Sequence, residues 1–312
     1  MSMKVGVIGG GTFGRGIALS AVRAENDVVL WTRGFHKGEG QPYRTTTELS
    51  QLTDRDIVFL AVPSTYIAET TSALGAHLDG RHLLVHVSRG LVGDDLKTLT
   101  RVLQSTTPCR RVGALAGPLV AEALAKGTPG GGIVGSLFPE VAEAVRDAIG
   151  GPSLKIYSTD DVIGVELASA LVGLLALALG YAQGLGIGPS ALAVLCSRGI
   201  AESQRLGHLL GARERTFAGL AGFGDLVAAA SGDDRPEMKL GRAIARGVNI
   251  ADASREAGAH IEGVTIAERV SAYAMRMRVE APIAATTAAV LNGKMTAQAA
   301  VAALMSRQVW VE

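Results

Sequence analysis

Cysteine is almost missing from this chain: Cys109 and Cys196 are the two it has. Two are too few for a disulfide framework or a cysteine-built metal centre, and their scarcity suits a reducing cytosol. A cytoplasmic protein without a metal is therefore expected. Net charge is scarce as well, because 30 Lys and Arg against 29 Asp and Glu leave +1. No basic footprint marks a nucleic-acid partner. The start, Met-Ser-Met-Lys, has no long apolar run ahead of a cleavage site, so no signal peptide is expected. From Leu167 to Ser197 charge disappears altogether, a stretch long enough to imitate a membrane span. Gly173, Gly180, Gly184, Gly186, Gly188 and Pro189 interrupt it, as does Gln183. It reads as a buried central helix followed by a glycine-rich turn, with a transmembrane helix as the lesser alternative, and no membrane partner is expected.

Glycine, by contrast, is placed with purpose near the start. A short apolar strand at 5–8 runs into Gly9-x-Gly11-x-x-Gly14, and a helical pattern follows. Gly9 permits the tight turn out of the strand. Gly11 lets the backbone approach a pyrophosphate, and Gly14 lets the helix pack against the strand. The helix N-terminus then aims free N–H groups at the phosphates. The residue types and spacing point to a dinucleotide, NAD or NADP.

The rest of the first half repeats the theme. Apolar runs at 28–31, 57–62, 83–87, 112–116, 132–135 and 154–157 are mostly continuous, as in strands covered on both faces. Helix patterns at 13–23, 66–76, 94–104 and 139–149 lie between several of them. Phe13, Ile17, Ala21 and Val22 share one face of the first. Such alternation predicts a mostly parallel, doubly wound sheet. After Ser158 the strand signal ends, and helices rich in Ala, Leu and Met take over. With 312 residues, 48% of them hydrophobic, both parts can bury a core. The fold class is α/β: an N-terminal Rossmann-type domain, 1–157, with a C-terminal all-helical domain, 158–312.

In open parallel sheets the ligand lies at the carboxyl ends of the strands. Arg33 follows the second strand, where an NAD-selective site usually has an acid. An arginine there can pair with a 2′-phosphate, or it can be a solvated surface residue. Val62-Pro63-Ser64, Ser88-Arg89-Gly90 and Gly117-Pro118 follow later strands and are expected to line the same crevice.

Together these motifs resemble the NAD(P)-dependent glycerol-3-phosphate dehydrogenase family. The resemblance continues through Tyr157-Ser158, Ile163-Gly164-Val165-Glu166-Leu167, Arg198-Gly199-Ile200-Ala201-Glu202, Ala221-Gly222-Phe223-Gly224-Asp225-Leu226, Glu262-Gly263 and Asn292-Gly293-Lys294. It implies a two-domain enzyme, often dimeric, that reduces dihydroxyacetone phosphate to sn-glycerol 3-phosphate with a nicotinamide cofactor. By resemblance Thr12, Phe13, Arg33, Ala121 and Glu262 fall on cofactor-contacting positions, with Val62 and Pro63 beside them. Asp225 falls on an active-site aspartate.

The departures from the family pattern are as informative. The family's proton-transferring lysine and the following asparagine align with Val172 and Gly173, and no lysine occurs between Lys155 and Lys239. A second lysine becomes Arg89. The threonine after Gly117-Pro118 is Leu119. The phosphate-binding Arg-Asn pair becomes Pro236-Glu237, with Arg235 one residue earlier. Asp225 and Arg89 are thus the catalytic candidates, and Gly117, Leu119, Val172, Arg235 and Glu237 the substrate-facing ones. His86, His208 and Glu166 read as satisfied or exposed polar residues rather than replacement acids. Three readings follow. One is a family dehydrogenase with an altered active site. Another is a catalytically inactive dinucleotide-binding protein acting as sensor or partner. The third is a dehydrogenase of a less anionic substrate, with Leu119 and Val172 as an apolar wall.

Overall fold

The structure is a computed structural model that describes residues 2–34, 40–232, 235–258 and 261–306. Its chain divides into two compact units, Met1–Val92 with Lys97–Glu166, and Gly93–Leu96 with Leu167–Glu312.

The first unit is built on eight strands: β1 (Lys4–Ile8), β2 (Asp27–Trp31), β3 (Arg44–Thr46), β4 (Ile57–Leu60), β5 (Leu83–His86), β6 (Val112–Ala116), β7 (Gly130–Gly135) and β8 (Leu154–Thr159). Their order is β3-β2-β1-β4-β5-β6-β7-β8. Every neighbouring pair is parallel except β6 with β7. Between the strands run α1 (Thr12–Arg23), α2 (Ser64–Gly75), α3 (Leu99–Thr106), α4 (Ala121–Lys126) and α5 (Pro139–Ile149). Val5, Val7, Ile57 and Phe59 point into one core with Ile17, Leu124 and Val145. Ile8, Val58, Leu60 and Leu84 point into the other with Ile67, Leu74 and Val102. Successive residues of a strand face opposite sides, so a sheet covered twice is apolar without alternation.

The expected strands and helices are present, with three corrections. The helix expected over 94–104 begins only at Leu99, because Val92 and Lys97 bridge around a turn in which Leu96 has φ +52°. The strand expected over 57–62 ends at Leu60. The short elements β3 and α4 were not foreseen.

The second unit is helical: α6 (Val162–Gly184, rooted in the first unit), α7 (Pro189–Leu209), α8 (Glu214–Phe217), α9 (Asp225–Ser231), α10 (Pro236–Ala245), α11 (Ile250–Ala257), α12 (Glu262–Met277), α13 (Pro282–Leu291) and α14 (Ala297–Met305). A π-helical turn, Leu220–Gly224, precedes α9. α6 is long and apolar enough to cross a membrane, yet it is a core helix: most of its length is buried inside the protein. Its small residues let other helices approach to backbone contact. A Cβ on Gly180 would lie 2.3 Å from the Met238 carbonyl oxygen, and one on Gly241 would lie 2.3 Å from that of Leu177. α10 is thereby seated on α6.

Candidate active site

In the first unit, β1, β2, β4, β5 and β6 all run the same way, so their carboxyl ends share one edge of the sheet. The sheet order reverses between β1 and β4, the switch point at which open α/β sheets take ligands. Gly9 leaves β1 with φ +120°, and a Cβ there would lie 2.3 Å from the Ala61 carbonyl oxygen. A Cβ on Gly14 would lie 2.0 Å from the Gly9 oxygen. Gly11 is different: nothing stands within 4 Å of where its Cβ would be. Gly11 is also the N-cap of α1, and no side chain caps that helix. An open approach to uncapped N–H groups, with no acid in the first turn, fits the pyrophosphate of a dinucleotide.

The other residues expected along this edge are there. Thr12 is exposed, and Phe13 packs half-buried on the sheet core. Arg33 is exposed past β2, its guanidinium carbon 5.2 Å from the centre of the Tyr66 ring. Val62 and Pro63 are half-buried ahead of α2. Ser88 donates a 2.6 Å hydrogen bond to the Val62 carbonyl, tying the loop that carries Arg89 to the end of β4. Arg89 is half-buried. Gly117 turns the chain after β6 with φ +106°, and Ala121 opens α4 half-buried. Leu119 goes elsewhere: it is 6% exposed, belongs to the sheet core and lies against Gly132.

The second unit gathers a charged cluster from Asp225, Arg235 and Glu237, which span thirteen residues of sequence. Asp225 follows the π-helical turn, which exists because Gly222 sits where a Cβ would be 2.0 Å from the Phe217 oxygen. Arg235 is the N-cap of α10 and Glu237 lies in its first turn. Arg235 Nη1 and Nη2 donate to Asp225 Oδ1 and Oδ2 at 2.8 and 3.3 Å, and its Nε donates to Glu237 Oε2 at 3.2 Å. Their side chains are 1%, 14% and 10% exposed in chain order. Burial works against the charge on Arg235, but Asp225 and then Glu237 more than offset it and hold its pKa above that of an ordinary arginine. The guanidinium is a permanent cation, not a proton donor.

Val172 is 1% exposed on α6. Beside it, Gly173 faces this cluster: a Cβ there would stand 3.6 Å from Glu237 Oε1 and 3.9 Å from Gly263 Cα. Glu262, half-buried, opens α12 immediately before that glycine. The structure therefore brings Asp225, Arg235, Glu237 and Gly173 together, while Leu119 and Val172 are each buried within the unit they belong to.

Sequence reasoning did not find the Arg235 clamp, whose one sequence signal is an arginine flanked by acids. Nor did it find the pairing of His86 with Glu166. His86 Nε2 lies 2.9 Å from Glu166 Oε1, which also accepts the Thr100 N–H at 2.9 Å. All three residues are buried, whereas His208 is exposed.

Two family models match the chain. The N-terminus of NAD-dependent glycerol-3-phosphate dehydrogenase matches residues 42–142, and the C-terminus matches 161–302. Glycerol-3-phosphate dehydrogenase [NAD(P)+] of Geobacter sulfurreducens is 34% identical, over 100% of this chain and 99% of its own length. That of Desulfitobacterium hafniense is 32% identical, over 97% of this chain and 91% of its own. The crystal structure of the Coxiella burnetii enzyme superposes with a TM-score of 0.91 at 25% identity, covering 98% of this chain and 99% of that one.

Proposed function

Because the chain belongs to the NAD-dependent glycerol-3-phosphate dehydrogenase family, we propose that it is an oxidoreductase with an altered active site. It uses NAD or NADP and acts on dihydroxyacetone phosphate and glycerol 3-phosphate, or on a related small hydroxy compound. The observation that carries this reading is the open, uncapped turn at Gly11. Gly9, Gly11 and Gly14 shape that turn, and the N–H groups at Thr12 and Phe13 hold the pyrophosphate. Arg33 pairs with a 2′-phosphate when the cofactor is NADP. Val62, Pro63 and Ala121 bound the same edge. The cofactor, when bound, supplies or accepts hydride.

The alteration concerns the proton. Reduction of a carbonyl needs a proton at the oxygen, and a positioned general acid is worth roughly 10²–10⁴ in rate. Val172 has none to give. Arg235 keeps its charge, and Arg89 likewise stabilises developing negative charge without releasing a proton. Asp225 is occupied by Arg235. Slow turnover of dihydroxyacetone phosphate follows from this set of residues.

Fluorescence titration with NADH and NADPH tests the cradle, and cofactor oxidation in the presence of dihydroxyacetone phosphate tests the chemistry. Binding with turnover about 100-fold below an enzyme that has a general acid is the expected result. The double change Val172→Lys, Gly173→Asn should then raise turnover. Absence of cofactor binding would remove the oxidoreductase reading. Full turnover by the unchanged chain would remove the alteration.

A further inference from the structure

We infer that this chain selects NADPH over NADH, and that Tyr66 is a positioning residue for that choice, holding Arg33 where the 2′-phosphate arrives. This rests on the oxidoreductase reading above and sharpens it to one cofactor.

The backbone under Arg33 is fixed before any ligand comes. The Thr32 N–H donates to the Thr46 carbonyl at 3.0 Å, and the Trp31 indole N–H donates to the Thr47 carbonyl at 2.8 Å. Both bonds anchor the end of β2 to the end of β3. The Gly9 N–H donates to the Trp31 carbonyl at 3.0 Å, which ties the glycine turn to the strand end that carries Arg33. In a dinucleotide seated on such a turn, the adenosine ribose lies over the end of the second strand. The residues there are Trp31-Thr32-Arg33-Gly34, with no carboxylate to take the ribose hydroxyls or to repel a phosphate.

The side chain is placed as well. Its guanidinium carbon lies 5.2 Å from the centre of the Tyr66 ring, and Tyr66 stands in the first turn of α2, 44% exposed. Among the described residues, no hydrogen bond or ion pair engages the Arg33 guanidinium. A ring face attracts the cation through its quadrupole without supplying an acceptor oxygen. The N–H donors therefore stay available for the paired contact that a guanidinium makes with a phosphate. A long side chain left loose gives up rotamer freedom on binding, and one already resting on a ring gives up less. NADH brings a hydroxyl to this point, whereas NADPH brings a phosphate whose charge Arg33 answers. Tyr66 acts through Arg33, so its effect falls on one cofactor and not on the other.

Fluorescence titration of the full chain with NADPH and NADH reads the choice directly, and displacement by adenosine 2′,5′-bisphosphate against AMP reads it without the nicotinamide. NADPH should bind about tenfold more tightly than NADH. Tyr66→Leu, with an unchanged melting temperature, should weaken NADPH about two- to fivefold and leave NADH where it was. Tyr66→Phe keeps the ring and should keep the preference. Arg33→Gln should remove most of it. Equal affinity for the two cofactors, or tighter binding of NADH, would overturn the proposal. So would a Tyr66→Leu change that weakens both cofactors alike, which would make the ring a contact for the shared adenosine, or one that weakens neither. A chain that binds both dinucleotides alike loses this proposal alone; a chain that binds neither loses the oxidoreductase reading and this proposal with it.

Discussion

At the scale of single residues, the two inner glycines of the first loop do different jobs, and substitution separates them. A Cβ at Gly14 collides with backbone, so Gly14→Ala should destabilise the fold by about 1–3 kcal/mol. A Cβ at Gly11 meets nothing. Gly11→Ala should melt normally yet lose dinucleotide affinity, about tenfold or more. Melting curves and fluorescence titration check the pair. Arg55 is another residue with a measurable role. It is 3% exposed, and it reaches Asp27 at 2.7 Å and Asp54 at 2.6 Å. Its hydrogen bond lowers Asp54 to about 2 and holds Asp27 below the usual carboxylate range. A depressed carboxylate pKa contributes stability above the unfolded value, and that stability is lost as pH falls through the folded value. Arg55→Met should therefore cost about 1–2 kcal/mol near neutral pH, discounted because both carboxylates are half-exposed. Denaturant titrations should show that gap closing as pH falls from about 4 to about 2.

At the scale of elements, helix ends and helix contacts decide where charged groups stand. α13 begins with Pro282, and its next two N–H groups, on Ile283 and Ala284, donate to Glu202 of α7 at 2.8 and 2.9 Å. Glu202 is 3% exposed, so it caps a helix from within the core. Glu202→Ala should cost about 1–3 kcal/mol, because two buried donors lose their acceptor. Glu202→Gln keeps one acceptor oxygen and should cost less; urea midpoints distinguish the two. The same logic places the cluster at the start of α10. Gly180 and Gly241 bring α6 and α10 to backbone contact, and that contact sets Glu237 beside Gly173.

At the scale of the whole molecule, the chain passes between its compact units after Val92, after Leu96 and after Glu166. The last passage is continuous helix. A dinucleotide held only by the folded chain adds stability by mass action, about 2.7 kcal/mol at a hundredfold excess over its Kd. The melting temperature should rise accordingly with NADH or NADPH, and Gly11→Ala should cut the rise by about half or more at the same concentration.

Much of this molecule could be read before any coordinates. The continuous apolar runs, the glycine spacing after β1 and the disappearance of strands after Ser158 are local patterns, and local patterns follow from backbone sterics and burial. They determined the doubly wound sheet, the helical second half and the glycine turn between β1 and α1. β3 escaped notice because it has three residues, only Thr46 of them buried, and exists by pairing with β2. The turn at 93–96 escaped because its conformation depends on distant partners. Arg276 Nη2 bonds the Asp94 carbonyl and the Asp95 carboxylate at 2.9 and 2.8 Å. Sequence likewise could not say what surrounds Val172 and Glu237. Only tertiary structure decided that Arg235 is clamped by Asp225 and Glu237, and that Leu119 is a core residue. Charge pairing and core packing join residues far apart in the chain, and their geometry exists only once helices have docked.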